Sequence, residues 1–211
     1  MKNEAIKNLL FDLGDVIINI DVPIAFNAFA ELSGRDINDI YRLVKHHDLF
    51  PRFETGQLTE PEFRHMVRTI LEKSDWEDHH IDTAWNSLLL DLPIERIELL
   101  KKLAPRYRLF LLSNTSSIHI SQINKILRET AGVSTLEDLF EKVFLSYEMG
   151  LMKPDPQIYY SVLNQAQIKA EETLFLDDNA KNIAAASEIG IHTIHVQKPV
   201  TILEYLQDYA V

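Results

Sequence analysis

Four short polar segments carry the chemistry that this sequence can do: Asp12, Ser113-Asn114-Thr115, Lys153 and the pair Asp177-Asp178. Each directly or closely follows an apolar run of strand type. Two adjacent carboxylates brought together with a third would repel unless a cation neutralised them, and hard oxygen ligands suit Mg²⁺. A lysine and a hydroxyl beside such a metal are what a phosphoryl group requires, because its transfer is catalysed mainly by positioning and charge neutralisation. A carboxylate can also serve as the covalent nucleophile. Each residue alone has a plainer explanation. Asp12 or Asp177 would cap a helix or make a turn, Asn114-Thr115 would cap the next helix, and Lys153-Pro154 would form a solvated turn. The argument for chemistry lies in the set.

Whether the set converges depends on the elements that carry it. The apolar runs from Ile6 to Phe11, Arg108 to Leu112, Leu174 to Leu176 and His192 to Val196, with Val143 to Leu145 as a shorter fifth, read as strands buried on both faces of a parallel sheet. Between them lie helical patterns at about 93–104, 117–129, 155–166 and 179–189. Strands alternating with helices predict a doubly wound α/β sheet, with ligands at the carboxyl ends of its strands. The stretch 20–92 breaks this rhythm and reads as helices only. Ala25, Phe26, Phe29 and Leu32 make one apolar stripe, and Phe63, Met66, Val67 and Ile70 make another. Thr59 with Glu62 has the form of a capping box, and Pro61 is tolerated in the first turn. The expected organisation is a core of residues 1–19 and 93–211 with a helical cap, 20–92, inserted between its first strand and the rest.

At this point the sequence resembles the haloacid dehalogenase superfamily, at all four of its signature segments and in order. These are Phe11-Asp12-Leu13-Gly14-Asp15-Val16, Leu112-Ser113-Asn114-Thr115, Lys153-Pro154-Asp155-Pro156 and Phe175-Leu176-Asp177-Asp178-Asn179. Ser146-Tyr147-Glu148-Met149-Gly150 before the lysine, and Ile158-Tyr159 after it, look like subfamily I with its helical cap. The resemblance implies a Rossmann-like core and a Mg²⁺-dependent phosphatase. Asp12 would be the nucleophile and a metal ligand, with the Gly14 carbonyl as a second ligand. Ser113 and the Asn114 amide would hold phosphoryl oxygens, and Lys153 would neutralise charge between nucleophile and phosphate. Asp178 would bind the metal directly, with Asp177 either on the metal or one layer behind it. Most phosphatases of the superfamily carry a general acid two residues after the nucleophile, where this sequence has Gly14; Asp15, one place further, should point elsewhere. The Phe-Asp-Leu-Gly start and the segment Phe53-Glu54-Thr55-Gly56 look like the branch containing glucose-1-phosphate phosphatases and the phosphatase domain of epoxide hydrolases, which makes sugar phosphates the leading substrate class. Phe50, Phe53, Glu54 and Trp85, with Asn86, would form the substrate-facing surface of the cap.

Composition narrows the field further. The 211 residues contain 21 Lys and Arg against 32 Asp and Glu, and this net charge of −11 opposes nucleic acid and anionic lipid as partners. The absence of Cys excludes disulfides and thiolate metal sites and fits a reducing compartment. No apolar run approaches the roughly 20 residues that span a bilayer, and Met1-Lys2-Asn3-Glu4 opens no signal peptide, so a cytoplasmic protein is expected. The partner would be a small-molecule phosphate ester; the sequence does not separate a monomer from a homodimer. The pairs His46-His47 and His79-His80 lack metal-ligand spacing and read as surface, while His192 and His195 face opposite sides of a strand. A 2-haloacid dehalogenase would need no paired acids, and a receiver domain would place its acidic pair near the N-terminus. A weakly catalytic phosphate-ester-binding protein is the rival of a different class.

Overall fold

The computed structural model describes residues 5–210; Met1-Lys2-Asn3-Glu4, on which the reading of the N-terminus rests, and Val211 lie outside the described residues. The chain enters through β1 (Asn8–Phe11) and then forms five helices, α1 (Val22–Ser33), α2 (Ile37–His46), α3 (Leu49–Glu54), α4 (Glu60–Leu71) and α5 (Asp78–Asn86). It returns through α6 (Ile94–Leu103), β2 (Arg108–Ser113), α7 (Ser117–Ala131), β3 (Lys142–Leu145), α8 (Ser146–Met149), α9 (Pro156–Ala166), β4 (Thr173–Asp177), α10 (Ala180–Glu188), β5 (His192–His195) and α11 (Ile202–Tyr205). The five strands form one parallel sheet in the order β3-β2-β1-β4-β5. This is the doubly wound α/β architecture.

The strands are apolar almost throughout because both faces are covered. Leu9, Phe11, Leu109, Leu111, Leu174 and Leu176 pack into one layer with Ile97 and Leu100 of α6 and Ile123 and Leu127 of α7. The alternate residues Leu10, Phe110, Leu112 and Phe175 pack into the other with Ile158, Tyr159 and Val162 of α9 and Ala186 of α10. Each such side chain contributes about 1.5–3 kcal/mol on burial. The register then decides the site: Phe11 lies level with Leu111 on one side and Leu176 on the other, so Asp12 comes level with Leu112 and Asp177.

Helices α1–α5 bury their own cluster, centred on Phe26, Phe29, Phe53, Phe63, Val67, Ile81 and Trp85. The capping box at Thr59 forms: the Thr59 N–H donates to Glu62 Oε2 at 2.8 Å and the Glu62 N–H to Thr59 Oγ1 at 3.4 Å. Of the two predicted stripes, only Leu32 turns outward, 39% exposed. Phe53 and Trp85 are corrections to the sequence reading. At 2% and 1% exposure they are the interior of this cluster, with no face open to a substrate. An aromatic pattern on a short helix does not distinguish a core stripe from a binding face.

The two connections between this helical insertion and the sheet run side by side. The Asn19 N–H donates to the Asp91 carbonyl (3.0 Å), the Leu90 N–H to the Asn19 carbonyl (2.9 Å) and the Asp21 N–H to the Leu88 carbonyl (2.9 Å). The resulting antiparallel Ile20–Leu89 bridge is too short to leave a periodic signal in the sequence. No helix among the described residues is long and apolar enough to cross a membrane.

Candidate active site

The carboxyl edge of the sheet gathers the four polar segments around one ammonium group. Lys153 Nζ donates to Asp12 Oδ1 at 2.7 Å, to Asp177 Oδ2 at 2.7 Å and to the Leu112 carbonyl at 3.0 Å. An ammonium has three protons, and these three acceptors use them. The segment carrying Lys153 is fixed by a two-way amide clamp: the Lys153 N–H donates to Asn114 Oδ1 and Asn114 Nδ2 donates to the Lys153 carbonyl, both at 2.9 Å. Asp177 is held from behind by the Asn179 N–H (2.7 Å) and by Asn182 Nδ2, 3.0 Å from each carboxylate oxygen. Ser113 Oγ makes a long 3.5 Å bond to the Asn114 carbonyl, which leaves the hydroxyl weakly engaged. Ser146 Oγ completes the floor, accepting from the Thr115 N–H at 2.9 Å and donating to its carbonyl at 3.2 Å.

Asp12, Asp177 and Asp178 each place a carboxylate oxygen within 4.8 Å of the others. Burial pushes the Asp12 carboxyl up to about 7, against the pull of the Lys153 ammonium, and the neighbouring Asp177 carboxylate adds to the rise. Burial alone would lower the Lys153 ammonium, but the facing Asp12 and Asp177 hold it above the usual lysine value. Asp178 is raised by partial burial and by Asp177 and Asp15. One ammonium does not balance this density of carboxylates, and the donors are all hard oxygen atoms. The cluster fits a small divalent cation such as Mg²⁺.

A haloacid dehalogenase-like hydrolase family model matches residues 6–190. The chain belongs to the haloacid dehalogenase-like hydrolase family. D-ribitol-5-phosphate phosphatase of Bacteroides thetaiotaomicron is 31% identical over 190 residues, which are 89% of this chain and 90% of that protein. A HAD family enzyme from the same organism, solved in complex with magnesium and inorganic phosphate, superposes with a TM-score of 0.81 at 38% identity and covers 92% of this chain and 96% of its own. A predicted HAD-like family hydrolase from Porphyromonas gingivalis superposes with a TM-score of 0.87 at 29% identity, covering 97% of each chain.

Around the edge of the site this haloacid dehalogenase-like hydrolase departs from what its sequence suggested. Asp15 does turn away: its Oδ1 accepts the Ile20 N–H at 3.1 Å and meets Lys198 Nζ at 2.7 Å. A Cβ on Gly14 would lie 2.7 Å from Ile20 Cδ1, the end of a side chain that would have to shift to admit it. Phe50 and Glu54 are half-buried, Phe50 against the insertion's own cluster with its ring centroid 4.2 Å from that of Trp85, whereas Phe53 and Trp85 are fully inside that cluster. His195, the last residue of β5, places Nε2 2.8 Å from the Asp178 carbonyl.

His119 is the residue that the sequence reading missed. It stacks on Trp85, with ring centroids 4.4 Å apart and planes 14° from parallel, and its Nε2–H donates to the Trp85 carbonyl at 3.1 Å. Trp85 Nε1 in turn donates to Ser116 Oγ at 3.0 Å, which ties α5 to the start of α7. Burial lowers His119 to about 4 from its ordinary 6.5, opposed by the bond to the Trp85 carbonyl. The unfolded chain therefore takes up this proton first, and stability is lost as pH falls from about 6.5 towards 4, by up to about 1.4 kcal/mol per pH unit. His119→Phe keeps the ring and is expected to flatten the stability curve over that window, read as unfolding free energy at several pH values. Parallel curves for the two proteins would contradict this role. Nothing in the spacing around His119 announces it, since its partner lies 34 residues away on another element.

Proposed function

We propose that the protein is a Mg²⁺-dependent phosphatase acting on small sugar or polyol phosphates, with the helical insertion serving as a cap over the site. The observation that carries this reading is Lys153 Nζ held 2.7 Å from both Asp12 and Asp177 at the mouth of the sheet. Asp12 attacks phosphorus in line and forms an aspartyl-phosphate, and water then hydrolyses that acyl-phosphate. Ser113 and the Asn114 amide bind the phosphoryl oxygens, and Lys153 spreads its charge over nucleophile and phosphate. Asp12, the Gly14 carbonyl and Asp178 would hold the metal. Asp177 already receives the Lys153, Asn179 and Asn182 donors, which favours Asp178 as the more open carboxylate. When bound, Mg²⁺ neutralises the carboxylates and the phosphoryl charge. Closure of the cap excludes water and supplies selectivity.

The magnesium and phosphate complex of the 38%-identical HAD enzyme and the ribitol-5-phosphate phosphatase relative support this class. Its members make different demands. Glucose 1-phosphate loses an anomeric oxygen, a comparatively good leaving group, whereas a primary polyol phosphate such as ribitol 5-phosphate expels a poor one. The test is phosphate release from p-nitrophenyl phosphate, glucose 1-phosphate, ribitol 5-phosphate and a flavin nucleotide, with Mg²⁺ or with EDTA. Mg²⁺-dependent turnover of the sugar and polyol phosphates at least ten times above the flavin nucleotide is expected from the general reach of a specificity pocket. Equal rates with EDTA, or a preference for the flavin nucleotide, would contradict the assignment.

A further inference from the structure

The four acidic residues that follow β1 or lie at the end of β4 are committed. Asp12 and Asp177 share Lys153, Asp178 belongs to the metal cluster, and Asp15 holds Ile20 and Lys198. Position 14 offers no side chain, and Ile20 Cδ1 lies 2.7 Å from where its Cβ would go. A proton for a poor leaving group must then come from the other side of the site, the helical insertion. Four carboxyls of the insertion are half-buried: Asp39, Glu54, Glu60 and Asp82. Asp39 pairs with Arg42, and Glu60 and Asp82 both pair with Arg64. Among the described residues no hydrogen bond or ion pair engages Glu54.

Its place in the fold separates it further. Glu54 is the last residue of α3, and α3 packs against α8. Two residues on, Gly56 has φ of +69° and comes so close to the core that a Cβ there would lie 2.2 Å from the Tyr147 carbonyl oxygen. Tyr147 follows Ser146, the residue bonded to Thr115 just beyond Ser113-Asn114. The end of α3 is thereby pressed onto the carboxyl edge of the sheet beside the phosphate-binding segment, and the neighbouring Phe53, buried in the insertion's core, fixes the rotation of the helix.

We propose that Glu54 is the proton donor to the leaving oxygen, replacing from the cap the acid that position 14 lacks; this rests on the phosphatase reading above. As the Asp12 oxygen forms its bond to phosphorus and the bond from phosphorus to the ester oxygen breaks, the Glu54 carboxyl gives its proton to that oxygen and the alcohol leaves neutral. The Glu54 carboxylate then takes a proton from the water that attacks the aspartyl-phosphate, which releases phosphate and restores Asp12 as carboxylate and Glu54 as acid. Burial holds the Glu54 carboxyl at about 7, in the range a group needs to give and retake a proton near neutrality.

The test is the dependence on leaving group. Glu54→Gln and Glu54→Ala are compared with wild type on ribitol 5-phosphate or glycerol 3-phosphate, which expel poor alkoxides, and on p-nitrophenyl phosphate, whose leaving group needs no proton. The expected result is a loss of about 10²–10⁴-fold in kcat/KM on the alkyl phosphates, the usual contribution of a positioned acid, with kcat/KM for p-nitrophenyl phosphate kept within about tenfold. The ratio kcat/KM is read because it covers only the steps up to departure of the leaving group, whereas kcat also contains the hydrolysis of the aspartyl-phosphate that all substrates share. An equal fall on both substrate types would make Glu54 a structural residue and overturn the proposal, as would unchanged turnover of the alkyl phosphates. A wild-type protein inactive on every phosphate ester would instead remove the phosphatase reading, and this proposal with it.

Discussion

Asp12→Asn is expected to abolish phosphate release from every substrate, p-nitrophenyl phosphate included, with kcat falling by at least about 10⁴-fold, as loss of a covalent nucleophile does in other hydrolases. A good leaving group relieves the need for an acid but not the need for an attacking oxygen. That separates this variant from Glu54→Gln. The fold should survive, because Asn fills the same space and Lys153 keeps its 2.7 Å bond to Asp177. The metal-free variant should even melt slightly higher than wild type at neutral pH. With the Asp12 carboxyl raised to about 7 by burial, the folded state holds its proton longer than the unfolded chain, so ionising it costs stability as pH rises from about 4 to 7. A neutral amide has no such cost. Turnover within tenfold of wild type, in a variant shown by circular dichroism to be folded, would contradict the assignment of the nucleophile.

Lys153→Met is expected to damage stability as well as turnover. The side chain is 1% exposed and its Asp177 partner fully buried, so removing the ammonium leaves two carboxylates facing each other with no counter-charge. Breaking a buried ion pair in this way costs about 3–5 kcal/mol, a large part of the roughly 5–15 kcal/mol that holds a domain together. The melting temperature should fall by about 6–20 °C for a chain of this size. The deficit should grow with pH, because at lower pH Asp12 escapes it by taking up a proton. Activity should fall by about 10²–10³-fold or more, the usual effect of deleting one preorganised donor to a developing charge. Lys153→Arg should not rescue either property. The three acceptors, Asp12, Asp177 and the Leu112 carbonyl, surround a point donor, and a planar guanidinium presents its protons in a fork. A Lys153→Met protein that melts with wild type and keeps its kcat would show that the ammonium carries neither load.

The sheet was legible in the sequence because a strand covered on both faces is apolar throughout and ends where the covering ends. Phe11 before Asp12, Leu112 before Ser113 and Leu176 before Asp177 are such endings, and the parallel register brings those ends to one edge. The convergence of Asp12, Lys153 and Asp177 follows from it. What the sequence hid depends on which face of a short helix meets which neighbour. Phe53 and Trp85 have the residue types of a binding surface, yet they fill the interior of the insertion, and Trp85 takes its hydrogen-bond partner, Ser116, from another element. His119 and the Ile20–Leu89 pairing are likewise products of contacts across tens of residues. The Gly14 departure was visible as a missing acid, and only the isolation of the Glu54 carboxyl in the folded protein points to a replacement.

The aspartyl-phosphate on Asp12 is the claim on which the rest depends, and it can be observed directly. Enzyme in excess over p-nitrophenyl phosphate with Mg²⁺ is quenched in acid within a single turnover, digested and mapped by mass spectrometry. The expected result is one added phosphoryl group on the peptide that contains Asp12, absent with EDTA and absent in Asp12→Asn. Phosphate released at full rate with that peptide never modified, or the phosphoryl group found on a different residue, would contradict the mechanism.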